Sequence, residues 1–128
     1  MNLFQLGDFK LHSGQHSDFK LECDALTDDD WECIAFLLSQ RLPPFDECYG
    51  VPRGGLKLAE KMQKYKQTTT YGWNTVLFAD DVFTTGNSLR AFAFDNIGNR
   101  EMLGAVVFAR TEPPDWIHAL FTMSDVPK

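Results

Sequence analysis

The sequence is short of positive charge: 12 Lys and Arg residues stand against 18 Asp and Glu, for a formal net charge of −6. No basic stripe that could follow a phosphate backbone is visible, so we expect no nucleic-acid partner. The chain also lacks any apolar run near the roughly 20 residues that a membrane-spanning helix needs. Residues 1–9 are neither basic nor apolar enough for a signal peptide. We therefore expect a cytoplasmic protein with no membrane partner.

Cysteine is scarce as well, with three residues and no CxxC pair. An odd count without paired spacing argues against a disulfide framework and favours free thiols in a reducing compartment. Two nucleotide-binding motifs are absent, since neither GxGxxG nor GxxxxGK[ST] occurs. Their absence argues against a dinucleotide or nucleoside triphosphate binder.

The 128 residues fit a single domain, 1–128, and a 44% hydrophobic content is enough for a buried core. Two short β segments are expected between Leu6 and Glu22. A helix capped by Thr27 and ending near Arg41 follows. The rest of the pattern predicts strands at 47–51, 75–79, 102–109 and 119–123, and helices at 56–65 and 87–97. This alternation predicts an α/β fold with a mostly parallel sheet flanked by helices on both faces. A small N-terminal β unit (about 1–25) would precede the core (about 26–128).

Three acidic residues, Asp28, Asp29 and Asp30, open the first predicted helix. Carboxylates in a first helical turn complement the helix dipole. A metal site is the alternative for this acidic run.

One stretch places two carboxylates after an apolar strand and a Thr/Gly/Ser turn before a helix. It reads Val76-Leu77-Phe78-Ala79-Asp80-Asp81-Val82-Phe83-Thr84-Thr85-Gly86-Asn87-Ser88. The turn 84–88 offers hydroxyl and amide donors, Gly86 lets the backbone come close, and the helix start points free N–H groups inward. These groups suit a phosphate, whereas Asp80 and Asp81 suit two vicinal hydroxyls or water held by Mg²⁺. Together they describe a site for ribose 5-phosphate; an ordinary N-capped helix is the alternative.

A second turn, Val51-Pro52-Arg53-Gly54-Gly55, follows the preceding predicted strand. Glycines around an arginine make a tight turn that can face another anionic group, whose charge Arg53 would neutralise. In an ordinary turn the same residues would simply expose an arginine. In parallel α/β sheets both turns lie at the carboxyl ends of the strands, which is where such proteins bind ligands.

Residues 76–88 resemble the phosphoribosyl-pyrophosphate signature of the type I phosphoribosyltransferases, and residues 50–55 resemble the pyrophosphate loop of that family. The resemblance implies that Asp80 and Asp81 bind the ribose 2- and 3-hydroxyls and that the turn 84–88 wraps the 5-phosphate. It implies that the turn 51–55 holds the leaving pyrophosphate. The catalytic residues would be Asp80, Asp81 and Arg53. Mg²⁺ would be the cofactor, held through the ligand and water without a direct protein ligand.

The stretch from Phe9 to Phe19, FKLHSGQHSDF, is similar to the N-terminal hood of orotate phosphoribosyltransferases, which reads F-x-L-x-S-G-x-x-S before an aromatic residue. The resemblance implies that His12, Phe19 and Lys20 bind the base. The family usually has Lys where this chain has His12. A solvated hairpin tip is the alternative for this histidine.

Arg110 ends the apolar strand Val107-Phe108-Ala109. In orotate phosphoribosyltransferases an arginine at this place, usually after Asp, meets the orotate carboxylate, and the resemblance implies that role for Arg110. This chain has Ala109 in place of the aspartate. A surface arginine at a strand end is the alternative.

The long mobile loop of orotate phosphoribosyltransferases, with its catalytic Lys and Arg-Lys-Glu cluster, has no counterpart here. Only residues 64–73 separate the second core helix from the next strand. Lys64 or Lys66 could stand in for the catalytic lysine, or could complement the helix dipole. The family's C-terminal helix is also missing. The segment 113–121 in its place could cap the base pocket, bury a dimer face or pack in the core.

Two functions are consistent with these features. The first is a homodimeric enzyme that moves ribose 5-phosphate from phosphoribosyl pyrophosphate to a nucleobase, with orotate as the expected base. The second is a protein that binds phosphoribosyl pyrophosphate or a nucleotide with weak or no turnover, because a lid that excludes water is missing.

Overall fold

The computed structural model describes residues 4–10, 16–21, 23–67 and 74–123, and for the first two ranges and Asp24 it describes the backbone alone. Strands β1 (Phe4–Lys10) and β2 (His16–Leu21) pair antiparallel, with Phe4 opposite Leu21 and Lys10 opposite His16. This pairing confirms the two predicted β segments. Their role as a hood over a base stays a prediction.

The first helix of the core, α1 (Asp28–Ser39), begins at a cap that the sequence supplies. The Thr27 hydroxyl accepts a hydrogen bond from the Asp30 amide at 3.1 Å, and the Asp30 carboxylate accepts one from the Thr27 amide at 2.8 Å. This reciprocal capping box satisfies donors that the helix itself leaves free. Asp28 pairs with Lys57 and Lys61 of the following helix. Asp30 thus caps the helix, and Asp28 pairs with lysines of the following helix.

Replacing Thr27 by alanine is expected to lower the free energy of unfolding by about 1 kcal/mol, because the Asp30 amide loses its acceptor. Ser39→Ala is the control at the other end of the helix, where the exposed Ser39 hydroxyl donates to the Phe36 carbonyl and accepts from Nε2 of Gln40 at 3.4 Å. Its expected effect is within about 0.5 kcal/mol. Urea unfolding of both variants measures the difference, and equal losses would contradict the role given to the cap.

The core consists of four parallel strands in the order β3-β4-β5-β6. Its elements after α1 are β3 (Glu47–Gly50), α2 (Leu56–Met62), β4 (Thr75–Phe83), α3 (Asn87–Asn96), β5 (Glu101–Ala109) and β6 (Ile117–Thr122). A 3-10 turn, Gln63–Tyr65, prolongs α2. The predicted α/β class and parallel sheet are therefore confirmed. Among the described residues, no helix is long and apolar enough to span a bilayer.

The sheet is buried on both faces, with α1 and α2 on one face and α3 on the other. Alternate residues of β4 supply the two cores: Leu77 and Ala79 pack with α1 and α2, while Val76 and Phe78 pack with α3. All four side chains are fully buried. Burial on both faces explains why this strand is a continuous apolar run rather than an alternating one.

The strand β4 is longer than the sequence predicts. The prediction ended the strand at Ala79 and began a turn at Asp80. It was wrong at this boundary, since pairing with β5 continues until Phe83 lies opposite Ala109. Both carboxylates are consequently held on a paired strand, and the turn is only 84–86. The other predicted boundaries agree to within about two residues.

The C-terminal segment packs in the core, one of the three alternatives left open by the sequence. Residues 110–116 connect β5 to β6 without a helix. Trp116 packs against the α3-side core, and Ile117 and Leu120 are buried. Phe121 stacks on Phe108 with ring centroids 5.5 Å apart.

Candidate functional site

The two predicted turns meet at the carboxyl ends of β3 and β4. The Val51 amide donates to the Ala79 carbonyl at 2.8 Å, which ties the first turn to β4. Gly54 lies directly against Asp81, because a Cβ atom at Gly54 would be 2.5 Å from Asp81 Cγ. The turn 51–55 and the carboxylates of β4 therefore form one continuous surface.

The turn after β3 exposes Arg53 at this edge of the sheet. Val51 is buried, whereas Pro52, Arg53 and Gly54 are exposed. The Gly55 amide donates to the Val51 carbonyl at 2.8 Å and closes the turn, and the Pro52–Arg53 peptide bond is cis. Arg53 is thus exposed on a turn whose two ends are held by backbone hydrogen bonds, next to Gly54, the residue that lies against Asp81.

Asp80 and Asp81 have different surroundings. Asp80 is 9% exposed and its Oδ1 accepts the Asp81 amide at 2.8 Å, while Asp81 is half-buried and its Oδ1 accepts the Val82 amide at 2.8 Å. Burial, reinforced by the neighbouring Asp81 carboxylate, raises the pKa of Asp80 to about 8. Burial and the neighbouring carboxylate therefore disfavour the charged form of Asp80 in the unliganded protein.

The turn between β4 and α3 needs a glycine at its centre. Gly86 precedes the first residue of α3 and adopts the left-handed conformation with φ 80°. A Cβ atom there would lie 2.5 Å from Cε2 of Phe83. The Asn87 amide donates to Thr85 Oγ1 at 3.3 Å. Asn87 and Ser88 are exposed at the start of the helix, where N–H groups lack partners within the helix.

Gly86→Ala is expected to destabilise the protein more than Gly98→Ala. Both glycines have positive φ, which alone makes alanine unfavourable by about 1–2 kcal/mol. At Gly98 a Cβ atom would meet nothing within 4 Å, whereas at Gly86 it must displace the Phe83 ring. Urea unfolding compares the two variants, and equal losses would show that the Phe83 contact is unimportant.

Three consecutive carbonyls of this turn are held by groups from outside it. The Phe83 carbonyl accepts the Arg110 amide at 2.8 Å, and the Thr84 carbonyl accepts the Thr111 hydroxyl at 3.0 Å. The Thr85 carbonyl accepts Nη1 of Arg90 at 3.3 Å. In a trans peptide the C=O and the following N–H point in opposite directions. The amides of residues 84–86 therefore point away from these partners, which suits them to bind an anion.

Two of these supporting residues, Arg90 and Thr111, were missed by the sequence analysis. Arg90 could have been found from its spacing. It lies four residues after Gly86 on a predicted helix, and residues at i and i+4 share a helix face. Thr111 follows a strand end and carries no comparable signal.

The residues predicted to bind the base are described only in part. His12 lies outside the described residues, and Phe19 and Lys20 lie on β2, for which the backbone alone is described. Arg110 is half-buried beside the turn 84–86, and burial lowers the pKa of its guanidinium. Their role in binding a base stays a prediction.

The lysines near the short connection face α1. Lys64 pairs with Glu32, and Lys61 pairs with Glu32 and Asp28. These pairs join α2 and the 3-10 turn after it to α1. Lys64 lies in that turn, beyond the C-terminal end of α2, while the candidate site adjoins the N-terminal end. The contacts of Lys64 are those of a structural residue.

A groove of about 300 Å³ lies elsewhere, along the edge strand β6. Pro113, Pro114, His118 and Thr122 are among its lining residues, and none of the predicted site residues is. This groove is therefore not the candidate site, whose hydrogen-bond donors and carboxylates lie at the carboxyl ends of β3 and β4.

No family model matches the chain, and no curated protein matches it by sequence. Solved structures do. Orotate phosphoribosyltransferase from Aeropyrum pernix is 21% identical with a TM-score of 0.76, over 95% of this chain and 89% of that one. Orotate phosphoribosyltransferase from Francisella tularensis is 15% identical with a TM-score of 0.66, over 97% and 82%. A purine phosphoribosyltransferase from Pyrococcus horikoshii is 21% identical with a TM-score of 0.54, over 75% and 90%. The chain therefore has the fold of the type I phosphoribosyltransferases.

Proposed function

We propose that the protein is a phosphoribosyltransferase that transfers ribose 5-phosphate from phosphoribosyl pyrophosphate to a nitrogenous base, with orotate as the base. The observation that carries the proposal is the shared edge at which Gly54 contacts Asp81 and the turn 84–88 follows the same strand. The turn 51–55, the two carboxylates and the turn 84–88, which we propose bind pyrophosphate, the sugar diol and the 5-phosphate, thereby adjoin one another.

The order of these groups matches the order of groups in the proposed ligand. In phosphoribosyl pyrophosphate the leaving group is attached to C1, beside the 2- and 3-hydroxyls, and the phosphate ester is at the far end of the sugar. The turn 84–88 would take the ester through its amides and hydroxyls. Asp80 and Asp81 would accept from the hydroxyls, and the turn 51–55 would hold the pyrophosphate.

The site also fits a magnesium ion bound through ligand and water. Among the described residues, no group of three His, Cys, Asp or Glu side chains converges as a direct metal site. Mg²⁺ commonly keeps several waters while binding substrate phosphates, and Asp80 and Asp81 can accept hydrogen bonds from such waters. When bound, the ion would neutralise charge on the pyrophosphate.

The protein groups act on the leaving group and on the base. Arg53 would stabilise the charge that develops on the departing pyrophosphate. Arg110, beside the turn 84–86, is proposed to bind the orotate carboxylate, and His12, Phe19 and Lys20 to line the base pocket. A homodimer in the cytoplasm is part of the same proposal.

Incubation of the protein with phosphoribosyl pyrophosphate, Mg²⁺ and a panel of bases tests the proposal. Orotate, uracil, adenine and hypoxanthine are each supplied, and pyrophosphate release and nucleotide formation are followed by chromatography. Nucleotide from orotate is the expected result. Nucleotide from another base alone would replace orotate with that base, and no nucleotide from any base would refute the transferase.

A second candidate function is binding of phosphoribosyl pyrophosphate or a nucleotide without efficient turnover, and the anchoring of the short connection favours it. The Gln67 amide donates to the Phe45 carbonyl at 2.8 Å, and the Asp46 amide donates to the Thr75 carbonyl at 2.8 Å. Both ends of the connection are thus held beside the amino end of β3. Six residues, 68–73, lie between Gln67 and Asn74.

The described ends of this connection lie far from the carboxylates. The six steps along β4 from Thr75 to Asp81 cover about 20 Å at 3.3 Å each. Tight binding of phosphoribosyl pyrophosphate by calorimetry, together with no nucleotide from the panel of bases, would establish this second function.

A further inference from the structure

We infer that a second copy of this chain docks on the outer face of α1, with the two helices antiparallel across a two-fold axis. The outer face consists of five exposed residues, Asp30, Cys33, Phe36, Leu37 and Arg41. The inference rests on the homodimer of the proposed function and deepens it, because it assigns the surface through which the copies meet. None of these residues belongs to the candidate site.

The outer face of α1 exposes two large apolar side chains at its middle. Phe36 is 50% exposed and Leu37 is 40% exposed, and Cys33 lies one turn before them on the same face. The opposite face is also apolar, because Trp31 and Leu38 are buried in the core. A helix that is apolar all round is one that is covered on all sides. The outer face therefore has the composition of a surface that a partner covers.

The two ends of the outer face carry opposite charges. Asp30 lies in the first turn of α1, and Arg41 continues its last turn, since the Arg41 amide donates to the Leu38 carbonyl at 3.0 Å. The spacing from position 30 to position 41 is about three turns of 3.6 residues, so both side chains lie on one side of the helix. Within the described part of the chain neither forms an ion pair, whereas Asp28 and Glu32 pair with lysines.

A second copy of the chain supplies the complementary charges. In an antiparallel pair the aspartate end of one helix lies beside the arginine end of the other, and the two-fold axis repeats this contact. The axis then passes halfway between positions 30 and 41, which is beside Phe36, so the apolar side chains of the two copies meet there. A parallel pair would set Arg41 against Arg41 and Asp30 against Asp30. Charge complementarity therefore favours the antiparallel arrangement.

The size of the outer face sets the expected strength of the dimer. A helix of this length extends about 18 Å at 1.5 Å per residue. Its contact with a second copy lies at the low end of the range for protein interfaces, where complexes are weak. We therefore expect a dimer that dissociates reversibly on dilution.

Sedimentation velocity over a series of protein concentrations tests the apolar part of the interface. Leu37→Asp puts a charge at the middle of the outer face, and its burial in a dimer would be unfavourable. This variant is expected to raise the dissociation constant of the dimer at least about tenfold. Phe94→Asp is the matched control, because Phe94 is 68% exposed and lies on α3. It should dimerise as the wild type does.

Reversal of the charges tests the antiparallel arrangement. Arg41→Glu sets a carboxylate against Asp30 of the second copy and should weaken the dimer. The double variant Asp30→Lys, Arg41→Glu restores opposite charges at both contacts and should recover most of the lost affinity. Both variants lose the hydrogen bond from Arg41 to the Leu120 carbonyl, so a role limited to that bond would give no recovery.

Disulfide cross-linking tests the register independently of affinity. In a Cys33→Ser background the remaining cysteines, Cys23 and Cys48, are buried. Phe36→Cys in this background places the two thiols beside the two-fold axis, and mild oxidation should give a covalent dimer. Phe94→Cys in the same background should stay monomeric in denaturing electrophoresis.

Three results would overturn the inference: a wild-type protein that is monomeric at every concentration, a dimer that Leu37→Asp leaves unchanged, or no recovery in the charge-reversed double variant. Failure of the proposed transferase is read separately, from the panel of bases. A monomer that forms nucleotide would refute the interface alone, and a dimer that forms none would refute the transferase alone.

Discussion

The double variant Asp80→Asn, Asp81→Asn is expected to bind phosphoribosyl pyrophosphate about a hundredfold more weakly than the wild type in the presence of Mg²⁺. A hydrogen bond to the Asp81 carboxylate contributes about 1.5–3 kcal/mol, and one to Asp80, whose charged form burial disfavours, contributes about 1 kcal/mol. A factor of ten corresponds to about 1.4 kcal/mol, so the pair accounts for about two orders of magnitude. Calorimetry measures the loss directly.

The matched control for this variant is Asp29→Asn, Asp95→Asn. It removes the same number of carboxyl groups, and both residues are exposed, on α1 and α3 respectively. Binding by the control should equal that of the wild type. If the Asp80, Asp81 variant also kept wild-type affinity, the diol site would lie elsewhere.

Asp80→Asn alone is expected to make the stability of the protein less dependent on pH. Burial and the Asp81 carboxylate raise the pKa of Asp80 from an ordinary value of 3.8 to about 8 in the folded protein. Between these values the folded state holds a proton that the unfolded state has released. The free energy of unfolding therefore falls as pH rises through this window, by at most about 1.4 kcal/mol per pH unit. Asparagine cannot ionise, so the variant loses this contribution and is the more stable protein at pH 8.

Urea unfolding at pH 5, 6.5 and 8 measures the free energy of unfolding of the wild type and the variant. The difference between them checks this expectation, because the contributions of other titrating groups cancel in it. The lowered pKa values of Asp28 and Glu32, caused by Lys57, Lys61 and Lys64, act below this range. Asp95→Asn is the control and should follow the wild-type slope. Parallel curves for Asp80→Asn and the wild type would contradict the raised pKa.

Replacing Asp80 by asparagine is thus expected to raise stability at alkaline pH, whereas replacing it together with Asp81 is expected to weaken ligand binding. A carboxylic acid that is buried beside another carboxylate lowers stability at alkaline pH, and an amide would avoid that loss. Strongly shifted pKa values concentrate at functional sites. The proposed binding of a sugar diol would explain why an aspartate stands at a position that disfavours its charge.

The order of strands and turns made much of the site predictable. Parallel strands place every strand-to-helix turn at the same edge, so the turns 51–55 and 84–88 could be assigned to one site before any contact was known. Gly86 was assigned a close approach of the backbone to a ligand, and its left-handed conformation is an added reason for glycine there. Gly54 was read as part of a tight turn, and its contact with Asp81 adds a reason that spacing could not supply.

Features that depend on tertiary pairing were not predictable. Continued pairing with β5 extends β4 to Phe83, against the local preference of aspartate. The parallel β6 follows β5 through residues 110–116 alone, a shorter connection than the helical crossover usual between parallel strands. The bonds of Arg90 and Thr111 to the turn depend on side-chain direction and on where β5 ends.

The contact between Gly54 and Asp81 makes the two halves of the site energetically dependent on each other. No space separates the first turn from the carboxylate, so a ligand that shifts one shifts the other. If pyrophosphate changes the affinity for ribose 5-phosphate by some factor, linkage requires that ribose 5-phosphate change the affinity for pyrophosphate by the same factor. Pyrophosphate and the phosphorylated sugar are thus expected to bind as coupled ligands, with a measurable coupling free energy, rather than as independent occupants of neighbouring sites.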